Sequence, residues 1–174
     1  MTGTTKIDGR QTPFDLSVDF NFQAGPPSIT APDLVWTRYT AKSAFYSLGY
    51  PKDWDIDTKT ETKEFLGPES EALFVNGLKE AGDTLAKLTA STASYDRKKL
   101  KATINSNVPG KLGGQPARVI TSHYLLDGQR VFGIDVLSVY KGFDYWITWG
   151  SPAGNEDLDI EEFQPILDSF SFTH

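Results

Sequence analysis

Three consecutive runs, 117–126, 130–140 and 143–149, alternate apolar with polar residues and are joined through short connections carrying Asp127-Gly128 and Lys141-Gly142. A period of two sends successive side chains to opposite faces of a strand, so each run reads as a strand with two distinct faces. Two-residue connections ending in Gly suit tight hairpins with positive φ, and connections this short make neighbouring strands antiparallel. The second half of the chain is therefore committed to an antiparallel meander.

The remaining elements are read onto that meander. Residues 45–50 read as a strand, Pro51-Lys52-Asp53 as a turn, and 54–60 as the returning strand. Two further strands, 62–66 and 71–78, flank Gly67-Pro68. Phe74, Leu78 and Ala81 have helical spacing, but Asn76-Gly77 and Gly82 would be costly inside a helix, which favours strand. Asp83 is the expected N-cap of a helix carrying Leu85, Leu88, Thr92 and Tyr95, with Arg97, Lys98, Lys99 and Lys101 at its far end. A strand at 103–108 follows. Near the C-terminus, an acidic stretch at 155–162 leads into the helical stripe Phe163, Ile166, Leu167 and Phe170, and 169–173 closes the chain as an extended piece. Pro165 lacks an amide donor, so that helix should start late or kink there. The fold class is α+β, an antiparallel β-sheet flanked by helices.

Ahead of this lies a second alternating run at 14–22, stopped by Ala24-Gly25-Pro26-Pro27. Its apolar face needs cover, so it is expected to add to a sheet edge in its own domain or in a neighbouring copy, giving a homodimer through this strand. The organisation read from sequence is an N-terminal extension at 1–40, with that strand and a Pro-rich linker, and a main domain at 41–174.

Composition excludes several activities. A net charge of −6 and a pI near 4.9 oppose nucleic-acid binding, which depends on Lys and Arg displacing counterions. With no Cys in 174 residues, there is no disulfide, thiolate zinc site or Cys nucleophile. No stretch approaches the ~20 apolar residues that span a bilayer. His123 stands in an expected strand with no acidic partner identifiable in sequence, and His174 is the last residue. Neither supports catalysis. No cofactor is implied.

Two sets of residues remain as candidate sites. Glu156, Asp157 and Asp159 could offer carboxylate oxygens to a calcium-type cation, although acids before a helix also serve its dipole. Trp36, Trp146, Phe20 and Phe22 are candidates for contact with a partner. Alternation in 145–149 sets Trp146 opposite Tyr145, Ile147 and Trp149, so it points away from one core face, either toward a partner or beneath a helix.

The order of four short motifs resembles the PsbP-like superfamily of PsbP and DcrB-like domains. They are Tyr46-Ser47-Leu48-Gly49-Tyr50-Pro51-Lys52-Asp53-Trp54, Phe65-Leu66-Gly67-Pro68, Leu112-Gly113-Gly114-Gln115-Pro116-Ala117-Arg118 and Ile166-Leu167-Asp168-Ser169-Phe170. The resemblance spans 45–173 and implies an α/β/α sandwich. It further implies a non-catalytic accessory, assembly or protein-binding role, with another protein as partner. That role is expected outside the bacterial cytoplasm, in a secreted or lipoprotein-like setting with a membrane tether. The alternative from the residues themselves is a domain binding a small ligand or metal in a pocket between sheet and helices.

Overall fold

The computed structural model describes residues 2–7, 10–15, 35–60, 62–68, 70–79 and 83–173. Its strands are β1 (Thr2–Ile7), β2 (Arg10–Asp15), β3 (Trp36–Ala41), β4 (Tyr46–Pro51), β5 (Asp55–Asp57), β6 (Lys63–Leu66), β7 (Ala72–Lys79), β8 (Thr103–Leu112), β9 (Gln115–Leu126), β10 (Gln129–Tyr140), β11 (Phe143–Pro152) and β12 (Ser171–Phe172). The helices are α1 (Leu85–Tyr95), continued by a π-helical segment Asp96–Leu100, and α2 (Glu156–Ser169).

Seven strands form one sheet in the order β5-β6-β7-β11-β10-β9-β8, antiparallel throughout. The meander expected from alternation is its centre. Asp127 and Gly128 have φ of 51° and 82°, and Lys141 and Gly142 have 49° and 78°, the paired positive values that tight hairpins require. Segment 71–78 is indeed a strand, β7. A Cβ on Gly77 would come within 2.9 Å of the Ala44 Cβ and 3.1 Å of Tyr145, so only Gly lets these neighbours approach.

The two faces of this sheet carry separate cores. On one face, Val119, Ile134, Val136, Tyr145, Ile147 and Trp149 pack with β4, α2 and Phe170. On the other, Ile120 and Leu137 pack with Leu88 and Ala93 of α1, with Trp146, Ile104 and Val139 against them. This is the α+β arrangement expected, with helices on both sides of an antiparallel sheet.

Several local expectations are corrected. Segment 54–60 does not return along 45–50. β4 pairs instead with β3 and β12 in a second, three-stranded sheet, while the much shorter β5 pairs with β6 in the large one. The turn at Pro51 thus carries the chain between sheets, and the nearly fully buried β4 gains a hydrogen-bonded neighbour on each edge. Thr84, not Asp83, caps α1: its hydroxyl accepts from the Lys87 amide at 3.2 Å, while Asp83 pairs with the Lys87 ammonium. Helix α2 starts at Glu156 and continues past Pro165 rather than starting late. Of the strand expected at 14–22, Phe14 and Asp15 end β2, which pairs with β1; the rest lies outside the described residues.

Candidate functional site

A cleft of about 650 Å³ opens between the α1 side and the large sheet. Alternation builds its floor from alternate residues of four adjacent strands: Phe74, Asn76 and Leu78 of β7, Trp146 and Thr148 of β11, Gly133 and Asp135 of β10, and Ser122 and Tyr124 of β9. Thr92, Tyr95, Asp96 and Leu100 form the opposing wall. Mostly apolar walls with a few polar groups, at this volume, are the usual make-up of a small-molecule site.

Two carboxylates set its electrostatics. Asp135 is buried, and the Thr148 hydroxyl donates to its Oδ1 at 2.6 Å. Burial pushes its pKa up to about 7; the Thr148 hydrogen bond opposes that rise, and the nearby charge of Asp96 adds to it. Asp96 is only 5% exposed, and its Oδ2 has no hydrogen-bond partner. Burial raises its pKa as well, against the pull of neighbouring Arg97. Tyr124 is likewise raised, first by burial and then by the charges of Asp135 and Asp96, which ties the three groups into one electrostatic neighbourhood. Among the described lining residues there is no Lys, Arg or His.

Among the described residues, Trp146 is the one expected site residue that lines the cleft. It is half-buried and lies beneath α1, its indole N–H donating to the Thr92 hydroxyl at 3.1 Å. Trp36 lies elsewhere, in β3, half-buried against the other core. Phe20 and Phe22 lie outside the described residues.

The acidic trio is spread apart. Glu156 turns to His123, with Oε1 and Nε2 3.0 Å apart. The Asn105 amide nitrogen is 2.8 Å from His123 Nδ1, so with the amide donating to Nδ1 the ring's Nε2–H donates to Glu156. Burial would raise the Glu156 pKa, but the hydrogen bond from His123 and contacts from the backbone bring it below its ordinary value. Asp159 is buried beside Ser151 and Trp149 and raised by that burial, while Asp157 is exposed. Among the described residues, no three or more His, Asp or Glu side chains gather as a metal ion would need.

Asp96 and Asp135 escaped the sequence reading. The Asp135 signal was present: in Ile134-Asp135-Val136-Leu137 a lone acid interrupts an apolar strand, which places a charge where only a partner or a cavity can take it. Asp96 was hidden by the basic run that follows it.

The strand order, the two helices and their sides of the sheet define a PsbP-like fold, and comparison with solved structures bears this out. The chain is similar to cyanobacterial PsbP (CyanoP) from Synechocystis, with 15% identity over 84% of this chain and 97% of that one, at a TM-score of 0.63. It is also similar to the Saccharomyces cerevisiae Ran-binding protein Mog1p, with 9% identity, 81% and 97% coverage and a TM-score of 0.57. A third likeness is to LpqN, involved in cell envelope biogenesis of Mycobacterium tuberculosis, with 14% identity, 81% and 92% coverage and a TM-score of 0.52. No protein-family model and no curated protein matches the sequence.

Proposed function

We propose that this chain is a non-catalytic accessory domain that works by binding, and that its recognition site is the cleft beneath α1. The observation that carries this reading is a buried carboxylate oxygen, Asp96 Oδ2, left without a partner in an aromatic-walled cavity that already holds Asp135. A buried polar atom without a hydrogen bond costs about 1–3 kcal/mol, more when charged, so one that lines a cavity favours a ligand able to hydrogen-bond to it. The test is a fragment screen followed by amide NMR on the labelled protein. Binders should perturb Asp96, Tyr124, Asp135 and Trp146 together; binders that cluster elsewhere overturn the reading. Hydrolase substrates should not turn over, and a turnover lost in Asp135→Asn would make the two carboxylates an acid–base pair instead.

A protein partner is the second reading, favoured by the β9–β10 hairpin. Its tip carries Leu125 and Leu126 at 69% and 55% exposure, beyond the last residues that β8 and β11 pair with. Mog1p, of similar fold, is described as Ran-binding. Replacing both leucines with Ser should abolish capture of that partner without changing the melting temperature. An extracytoplasmic location belongs to the same proposal, resting on the likeness to LpqN; fractionation of the native cells tests it.

A further inference from the structure

We propose that the cleft beneath α1 selects an organic cation: a primary ammonium carried on an aromatic or alkyl body. This rests on the cleft being the binding site and adds the chemistry of what fills it.

The charge on the walls is of one sign. Asp96 and Asp135 bring two carboxylates into one cavity from different elements, the π-helical segment and β10, and no described lining side chain is a cation. Arg97, the nearest basic residue in sequence, is exposed rather than part of the lining. Mutual repulsion between the carboxylates is relieved by a positive charge set among them, and a charge-assisted hydrogen bond is the strong kind. An ammonium has three N–H donors, enough for the unpartnered Oδ2 of Asp96 together with Asp135.

The rest of the cavity excludes a bare ion. Phe74, Leu78, Tyr95, Leu100 and Trp146 give it large apolar walls that a hydrated metal would leave empty. A calcium ion asks for about six to eight oxygen ligands, and among the described residues the necessary gathering of acids is missing. An apolar body with a cationic end matches both halves, and the tryptophan and tyrosine rings add cation–π attraction.

The experiment is calorimetric titration of the full chain with 2-phenylethylammonium, its neutral counterpart 2-phenylethanol and the anion 3-phenylpropionate. The amine should bind about tenfold or more tightly than the alcohol, the worth of a charge-assisted hydrogen bond, and the carboxylate should not bind. Asp135→Asn and Asp96→Asn, which keep side-chain volume, should each erase the preference for amine over alcohol while leaving alcohol binding in place. If the alcohol or the anion binds as well as the amine, the cation proposal fails and the cleft stands as a binding site. If no probe binds and none shifts a cleft amide, the reading of the site itself fails. N-acetyl-lysine amide, run alongside, separates a protein side chain from a free amine as the source of the ammonium, according to which binds more tightly.

Discussion

The Thr148 hydroxyl donates to Asp135 Oδ1 at 2.6 Å across the β10–β11 pair, holding a buried carboxyl whose pKa stands at about 7 instead of 3.8. A carboxyl with a raised native pKa binds its proton more tightly folded than unfolded. Its contribution to stability is therefore fullest below the unfolded value and declines as pH rises through the native one. Asp96, also raised, acts in the same direction. Denaturant melts should show Asp135→Asn gaining on the parent protein between about pH 4 and pH 8. A constant difference across that range would mean that Asp135 is not buried as described.

The pair formed by His123 and Glu156 fastens the start of α2 to β9. Glu156 has a lowered pKa, so its contribution is present above the ordinary carboxylate value and lost as pH falls through the native one. His123→Ala removes the donor and should cost about 1–3 kcal/mol of stability, since it leaves a carboxylate half-shielded without its partner. In the same variant the Glu156 carboxyl should titrate at higher pH by NMR. An unmoved titration would show that the contact does not form in solution.

Trp54 and Phe170 anchor the larger core from opposite ends of the chain. The Trp54 ring centroid is 5.6 Å from that of Trp149, and Phe170 stacks on Tyr46 at 5.5 Å with planes 15° apart. Replacing either with Ala should cost about 3–5 kcal/mol, the transfer energy plus the cavity left behind. The midpoint of chemical unfolding measures it, and a near-neutral Trp54→Ala would contradict its buried placement.

Gly77 should resist even a methyl group. The Tyr145 hydroxyl donates to the Ala44 backbone carbonyl at 3.0 Å, so the Tyr145 side chain that crowds Gly77 is tied to the main chain of the other crowding residue. Gly77→Ala should destabilise by about 1–3 kcal/mol through overpacking. Adding Ala44→Gly should recover part of the loss; no recovery would locate the strain elsewhere.

The meander was legible because its information is local. Period-two alternation and two-residue turns at Asp127-Gly128 and Lys141-Gly142 define register without reference to the rest of the chain. Segment 71–78 was legible for the same kind of reason, since Gly77 is expensive in a helix. The partnership of β4 with β12 was not legible, because it joins Ser47 to Ser171, residues far apart in sequence that share no pattern. The cleft follows the same division. Trp146 could be assigned a face from alternation alone, whereas the meeting of Asp96 with Asp135 depends on how a helix end docks over a sheet, which no spacing records. His123 and Glu156 belong with it: each was noticed, and only folding made them a pair.

The alternation that gives the large sheet two separate cores also partitions the chain for redesign. Within β10, Ile134 and Val136 serve the larger core, while Asp135, interleaved between them, serves the cleft; β9 and β11 repeat the arrangement. A library that varies Phe74, Asn76, Tyr124, Asp135, Trp146 and Thr148 would thus rewrite the cavity's chemistry while every residue of the aromatic core kept its neighbours. The converse holds for length. One residue inserted into any of these strands would exchange the two sets, turning the carboxylate into the core and the core into the cleft. Such a sheet is open to substitution and closed to insertion, and selection in the laboratory should be confined to the first.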